Sequence, residues 1–216
     1  MRRYLREKMV SDITEAIYLV REAVGLAEHG TRTHISAIFY LAMFLGQFHK
    51  YRGDREKLEE AISLCETWMS QSQGEGGNMH GWILNTCAAN LTLRYKSDKE
   101  KKDRNAAISN YEQALDYLPA GHMGRHDNLI ELAEVLRYRF EATYMTGDAE
   151  RAAELLVEAR GYLPDGHPER ATPLFKTAQL YIFQEAPFFN IRTALQQASQ
   201  AITYGCQNAS NGCLAL

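Results

Sequence analysis

Apolar residues return along this chain at three- and four-residue intervals, in segments of helical length broken by glycine and proline. That period gathers them on one face of a helix rather than on alternate faces of a strand. The pattern predicts helices over about 12–28, 34–51, 56–71, 79–96, 101–118, 127–145, 149–163, 172–185 and 190–204. Between them fall Gly30, Gly53, Gly74-Glu75-Gly76-Gly77, Pro119 to Gly121, Gly147 and Pro164 to Gly166, the residues that end helices. Asp12, Asp54 and Asp148 stand near expected helix starts, where a carboxylate accepts from backbone N–H groups that have no helical partner.

The pattern repeats. Glu15-Ala16-Ile17 returns as Glu60-Ala61-Ile62 and then as Ala106-Ala107-Ile108, and the series continues to Ala152 and Ala194. These five alanines are 45, 46, 45 and 42 residues apart. A second ladder runs through Ala42, Ala88, Ala133 and Ala178, with Leu45, Leu91, Leu136 and Tyr181 three residues further on the same face. The segment Tyr111 to His122 answers to Leu156 to His167, with six of the twelve residues identical, among them Tyr117-Leu118-Pro119 and Tyr162-Leu163-Pro164. Each unit therefore supplies two amphipathic helices. A single pair cannot bury its stripe alone; stacked pairs can, with alanines where helices approach closely and larger residues beside them.

Composition agrees with this reading. Ala, Leu, Glu, Gln and Arg are frequent, proline numbers five, and 45% of residues are apolar, enough for a sizeable core. A net charge of −3 argues against nucleic acid or an acidic membrane as partner. No apolar run is long enough to span a bilayer, and the charged start Met1-Arg2-Arg3-Tyr4-Leu5-Arg6 lacks the stretch of a signal peptide, so a cytoplasmic protein is expected. Cys65, Cys87, Cys206 and Cys213 have neither metal-ligand nor disulfide-framework spacing and read as free thiols in the core or tail. Asn90-Leu91-Thr92 and Asn208-Ala209-Ser210 match a glycosylation pattern that a cytosolic protein ignores.

Ala107, Tyr111, Ala114 and Pro119, at offsets 0, 4, 7 and 12, are repeated by Ala152, Leu156, Ala159 and Pro164; the facing helices carry Leu41-Ala42 and Leu132-Ala133. This resembles the tetratricopeptide repeat. The resemblance implies an all-α solenoid of stacked antiparallel helix pairs, wound as a right-handed superhelix, that binds a protein partner. The units are about 45 residues long where the ordinary repeat has about 34. The extra length enters the first helix and a connector with two clear copies, Pro119-Ala120-Gly121-His122-Met123-Gly124-Arg125 and Pro164-Asp165-Gly166-His167-Pro168-Glu169-Arg170. These long units look like the repeats of fungal proteins that end in a CHAT domain, a caspase-like protease module. On that comparison the array covers residues 1–205, Met1 to Met9 is the tail of a first helix whose beginning is absent, and residues 206–216 read as a disordered tail or the product of a truncated gene model.

Candidate chemistry is sparse. His122 and His126 are four apart, as for a metal, but His167 repeats the place of His122, and the repeated connector histidine reads as a structural cap or a hydrogen-bond donor. Cys65 occupies the place of Tyr111 and Leu156, Cys87 adjoins Ala88, and both read as core; His80-Gly81 reads as an inter-helix loop. Gly74 to Gly77 follows a helix and lacks the Lys-Ser or Lys-Thr of a phosphate loop. The mixed-sign run Lys96 to Arg104 reads as a solvated helix start, Trp68 and Trp82 as core, and Pro187-Phe188-Phe189 as an end cover or a docking element. No catalytic, cofactor-binding or metal-binding residues are expected. The family's groove positions, counted from the Leu-Ala pair, fall on Gln47, Asn85, Glu134, Arg137, Tyr138 and Gln179, which would hold a peptide or helix in the concave face. The alternative is a regulatory arm of a CHAT-type protease whose catalytic domain lies outside this chain.

Overall fold

A computed structural model describes residues 2–72, 77–164 and 166–183. All of its regular structure is helical, and the chain forms two compact units, Met1–Pro119 and Ala120–Leu216. The first holds α1 (Arg2–Leu26), α2 (Arg32–Arg52), α3 (Arg55–Ser72), α4 (Asn78–Asp98) and α5 (Lys101–Tyr117). The second holds α6 (Met123–Thr143), α7 (Thr146–Gly161), a 3-10 turn at Pro168–Arg170 and α8 (Ala171–Phe183). Helices that follow one another within a unit pack together, and α2 also packs on α4, as α6 does on α8.

The alanine ladders mark the close approaches. Ala61, Ala107 and Ala152 are 0% exposed, Ala42 and Ala88 likewise, and Ala133 and Ala178 are 2% exposed. Large side chains fill the spaces beside them: Leu45, Leu58, Tyr111 and Leu118 in the first unit, Leu129, Leu132 and Leu156 in the second. Gly81 is required by packing, because a β-carbon there would meet Tyr117 Cβ at 2.9 Å and Leu118 Cγ at 3.1 Å.

Several helix ends have an identifiable cause. Thr31 Oγ1 accepts from His34 N at 3.3 Å, and Asp54 Oδ1 accepts from Lys57 N at 3.2 Å. Gly53 closes α2 in the left-handed region, at φ 73°. His122 Nδ1 accepts from Gly124 N at 3.1 Å, and His167 Nδ1 accepts from Glu169 N at 3.3 Å. The repeated connector histidines are thus N-caps. The turns into α5 and α7 are clamped alike: Arg94 Nε and Nη2 donate to both oxygens of Asp103 at 2.8 Å, and Arg139 Nε and Nη2 donate to those of Asp148 at 2.8 and 2.6 Å.

Several expectations are corrected. Met1 to Met9 is no tail of a separate helix, since α1 runs unbroken from Arg2 to Leu26; Asp12 lies inside it and caps nothing. The run Lys96 to Arg104 is only partly solvated, with Asp103 and Arg104 at 2% and 3% exposure. His80 lies in the first turn of α4, buried between the rings of Trp68 and Tyr117 at centroid distances of 5.0 and 4.5 Å. Asn90, by contrast, agrees with its reading as an unused glycosylation pattern, being inside α4 and 3% exposed. The expected helix at 190–204, Gly74 to Gly76, the Pro187-Phe188-Phe189 element, Cys206, Cys213 and the 206–216 tail lie outside the described residues. Among those described, no helix is long and apolar enough to cross a membrane.

Candidate functional site

The groove residues expected from sequence fall into two groups with different chemistry. Gln47 and Asn85 belong to the first unit, on α2 and α4. They meet in a cleft of about 160 Å³ between those helices. Phe39 and Trp82 stand over it with ring centroids 5.8 Å apart, Met43, Ala89 and Leu93 line its wall, and Lys50 and Thr86 complete its polar rim. Gly46 and Asn90 belong to the same lining: the missing β-carbon of one leaves space for the amide of the other.

Gln47, Asn85, Thr86 and Lys50 form no hydrogen bond or ion pair among the described residues; the first three are half-buried and Lys50 is exposed. Two amides can each donate and accept, which suits a peptide backbone, and Lys50 supplies an uncompensated positive charge. The volume is below the ~300–1,000 Å³ typical of small-molecule sites, and matches one or two side chains of a longer ligand. Trp82, expected in the core, is only half-buried because it forms this wall.

Glu134, Arg137, Tyr138 and Gln179 belong to the second unit, where the first three are engaged with one another. Glu134 Oε1 accepts from Arg137 Nη2 at 2.8 Å and from Tyr138 Oη at 2.6 Å, while its Oε2 accepts from Lys176 Nζ of α8 at 3.0 Å. Arg137 also pairs with Glu141, and its guanidinium lies 4.6 Å from the Tyr138 ring centre. Burial alone would raise the Glu134 pKa. The hydrogen bonds from Arg137 and Tyr138 and the charge of Lys176 outweigh it and hold the carboxyl at about 2. Burial and the bond to Glu134 push the Tyr138 phenol upward. Gln179, three residues beyond Lys176 on α8, is half-buried and has no hydrogen-bond partner among the described residues.

The remaining candidates are structural. Cys65 and Cys87 are free thiols at 0% exposure. The hydrogen bond with Cys87, together with burial, pushes the Cys65 thiol well up, so it stays protonated. His126 Nδ1 lies 2.9 Å from Ala159 O, which leaves His122 and His126 occupied separately at a cap and at a carbonyl.

Sequence reasoning missed Phe39, Met43, Lys50 and Trp82 in the cleft, and Lys176 in the network. The signal was present: Phe39, Met43, Gln47 and Lys50 are spaced by four, four and three residues on one face of α2.

No protein-family model and no curated protein matches the chain. Solved structures do. A variant form of a Podosopora anserina putative kinesin light chain with nearly identical TPR-like repeats superposes with a TM-score of 0.65 at 16% identity, covering 96% of this chain and 94% of that one. A second structure of the P. anserina putative kinesin light chain repeats gives 0.62 at 17% identity, over 95% and 93% of the two chains. BtubC (BKLC) from P. vanneervenii gives 0.61 at 19% identity, over 96% and 78%. The fold is that of a TPR-like helical repeat solenoid.

Proposed function

We propose that this protein is an interaction scaffold that holds a peptide segment of a partner protein in the cleft between α2 and α4. The observation that carries this reading is the contrast between the two groups of groove residues. In the first unit Gln47, Asn85 and Lys50 rim an apolar cleft with no partner among the described residues; in the second, Glu134, Arg137 and Tyr138 already satisfy one another. Free amides beside a side-chain-sized apolar pocket suit a peptide, whose backbone needs donors and acceptors and whose side chain needs a pocket. TPR-like neighbours support a scaffold role in general terms. The regulatory-arm alternative gains nothing further, because its connector motif is accounted for by the capping of His122 and His167.

A short-peptide display library panned on the full chain tests this. Enriched peptides are expected to lose binding in Gln47→Ala/Asn85→Ala and in Lys50→Glu, and to keep it in Gln179→Ala. Peptides that bind all these variants equally would sink the assignment.

A further inference from the structure

Ile13, Ala16, Val20 and Ala23 form a stripe on α1 at positions i, i+3, i+7 and i+10, and all four are half-buried. The repeat allows each to be compared with its counterpart 45 residues on. On α3 those counterparts, Leu58, Ala61, Cys65 and Trp68, are 0, 0, 0 and 6% exposed. The difference lies in the neighbours. α3 has α2 on one side and α4 on the other, whereas α1 packs on α2 and reaches α3 through the Arg21–Glu60 ion pair. Among the described residues, nothing stands over Ala16 as a second helix stands over Ala61.

The surroundings of the stripe specify what fits there. Met9 and Leu19 extend the apolar surface at 44% and 55% exposure. Asp12, Glu15 and Glu22 are exposed carboxylates without an ion-pair partner among the described residues and outnumber the exposed Lys8 of the same edge; nearby, Arg21 is already taken by Glu60. An occupant must therefore bring a small residue to approach Ala16, apolar neighbours, and positive charge along its edges.

The chain supplies its own precedent in α2, one of the two helices flanking α3. Its buried face carries Leu41-Ala42, and it bears Arg32, Lys50 and Arg52 with no carboxylate. We infer that this face of α1 is the docking site for a basic amphipathic helix of another protein. Burial of four half-covered side chains supplies the adhesion, and the three carboxylates select the sign of the partner.

A labelled synthetic peptide of residues 32–52 serves as the probe, titrated by fluorescence anisotropy onto the full chain. Saturable binding is expected, weakened about tenfold or more by Ala16→Arg, which places a bulky side chain where the helices must meet. Asp12→Lys/Glu22→Lys should weaken it about tenfold and flatten its salt dependence. Asn85→Ala should leave it unchanged, which separates this site from the α2–α4 cleft. Far-UV circular dichroism establishes that each variant is folded. Absence of saturable binding to the folded chain, or equal binding by Ala16→Arg, overturns the inference. So does sedimentation showing that the chain self-associates and that Ala16→Arg returns it to monomer, since the face would then belong to a second copy.

Discussion

The side chain of Asn90 on α4 occupies the space that a β-carbon on Gly46 of α2 would need, and its Nδ2 donates to Ala42 O at 3.3 Å. A glycine on one helix and an amide on the other thus bring two backbones together at the floor of the cleft. Gly46→Ala must displace Asn90 and break that hydrogen bond. The expected loss is about 1–3 kcal/mol of stability by urea unfolding. In an Asn90→Ala background the same substitution should cost markedly less, and a double-mutant cycle reads the coupling.

Particular residues mark what was legible beforehand. The ladder of alanines, the connector caps and eight of the nine expected helices follow from spacing, because a helix repeats its face every three or four residues. As lining of the cleft, though not as a tested binding site, Gln47 and Asn85 were reachable by counting from the Leu-Ala pair. Their difference from Glu134 and Arg137 was not, since both groups are polar and only the fold brings Lys176 to close the second group into a network. The Arg94–Asp103 and Arg139–Asp148 clamps are a nine-residue spacing repeated 45 residues apart. A mixed-sign run hides the first of them, because sequence alone does not say which charges point inward.

The same turn offers a second test. α2, α4 and α6 each end on a residue in the left-handed region: Gly53 at φ 73°, Lys99 at 60° and Tyr144 at 57°. Only the first is a glycine, so the other two sites carry strain that a side chain imposes. Lys99→Gly and Tyr144→Gly are each expected to stabilise by about 0.5–1 kcal/mol, and Gly53→Ala to destabilise by about 1 kcal/mol, as read from thermal and denaturant midpoints.

Asp103 is 2% exposed and both its oxygens are held by Arg94. Arg94→Ala leaves a buried carboxylate without its counter-charge and is expected to cost about 3–5 kcal/mol. Replacing both partners, as Arg94→Met/Asp103→Leu, should recover most of the loss, because the desolvated charge is then gone. A double variant no more stable than Arg94→Ala would show that the clamp acts through the shape of the turn and not through charge.

Acid should weaken the two units for different reasons. Burial, and then the charge of His29, lower the His34 pKa below its ordinary 6.5. Its neutral form is favoured in the fold, so the stability it contributes is complete above about 6.5 and declines as pH falls through the lowered value. Glu134, held at about 2 against an ordinary 4.5, contributes stability that is complete above 4.5 and is lost as pH falls toward 2. His34→Phe should therefore reduce the loss of stability just below pH 6.5, and Glu134→Gln should remove the dependence between pH 4.5 and 2, each followed by denaturant midpoints across the range.

Asn128 of α6 is 0% exposed, and neither its amide nitrogen nor its amide oxygen has a hydrogen-bond partner among the described residues. Five residues before the ladder alanine, it occupies the place that Ile83 fills in α4, where the position is apolar and 0% exposed. A buried amide with both groups unsatisfied costs free energy that an aliphatic side chain of similar size does not. Asn128→Ile is thus expected to raise stability by about 1–3 kcal/mol, and Asn128→Ala to be near neutral, since the cavity it leaves offsets the relief of the amide. Equilibrium unfolding in urea distinguishes the two. Loss of stability in Asn128→Ile would mean that the amide is held by a bond the fold needs, and the site would then rank with the Asn90 contact as a polar pin between helices.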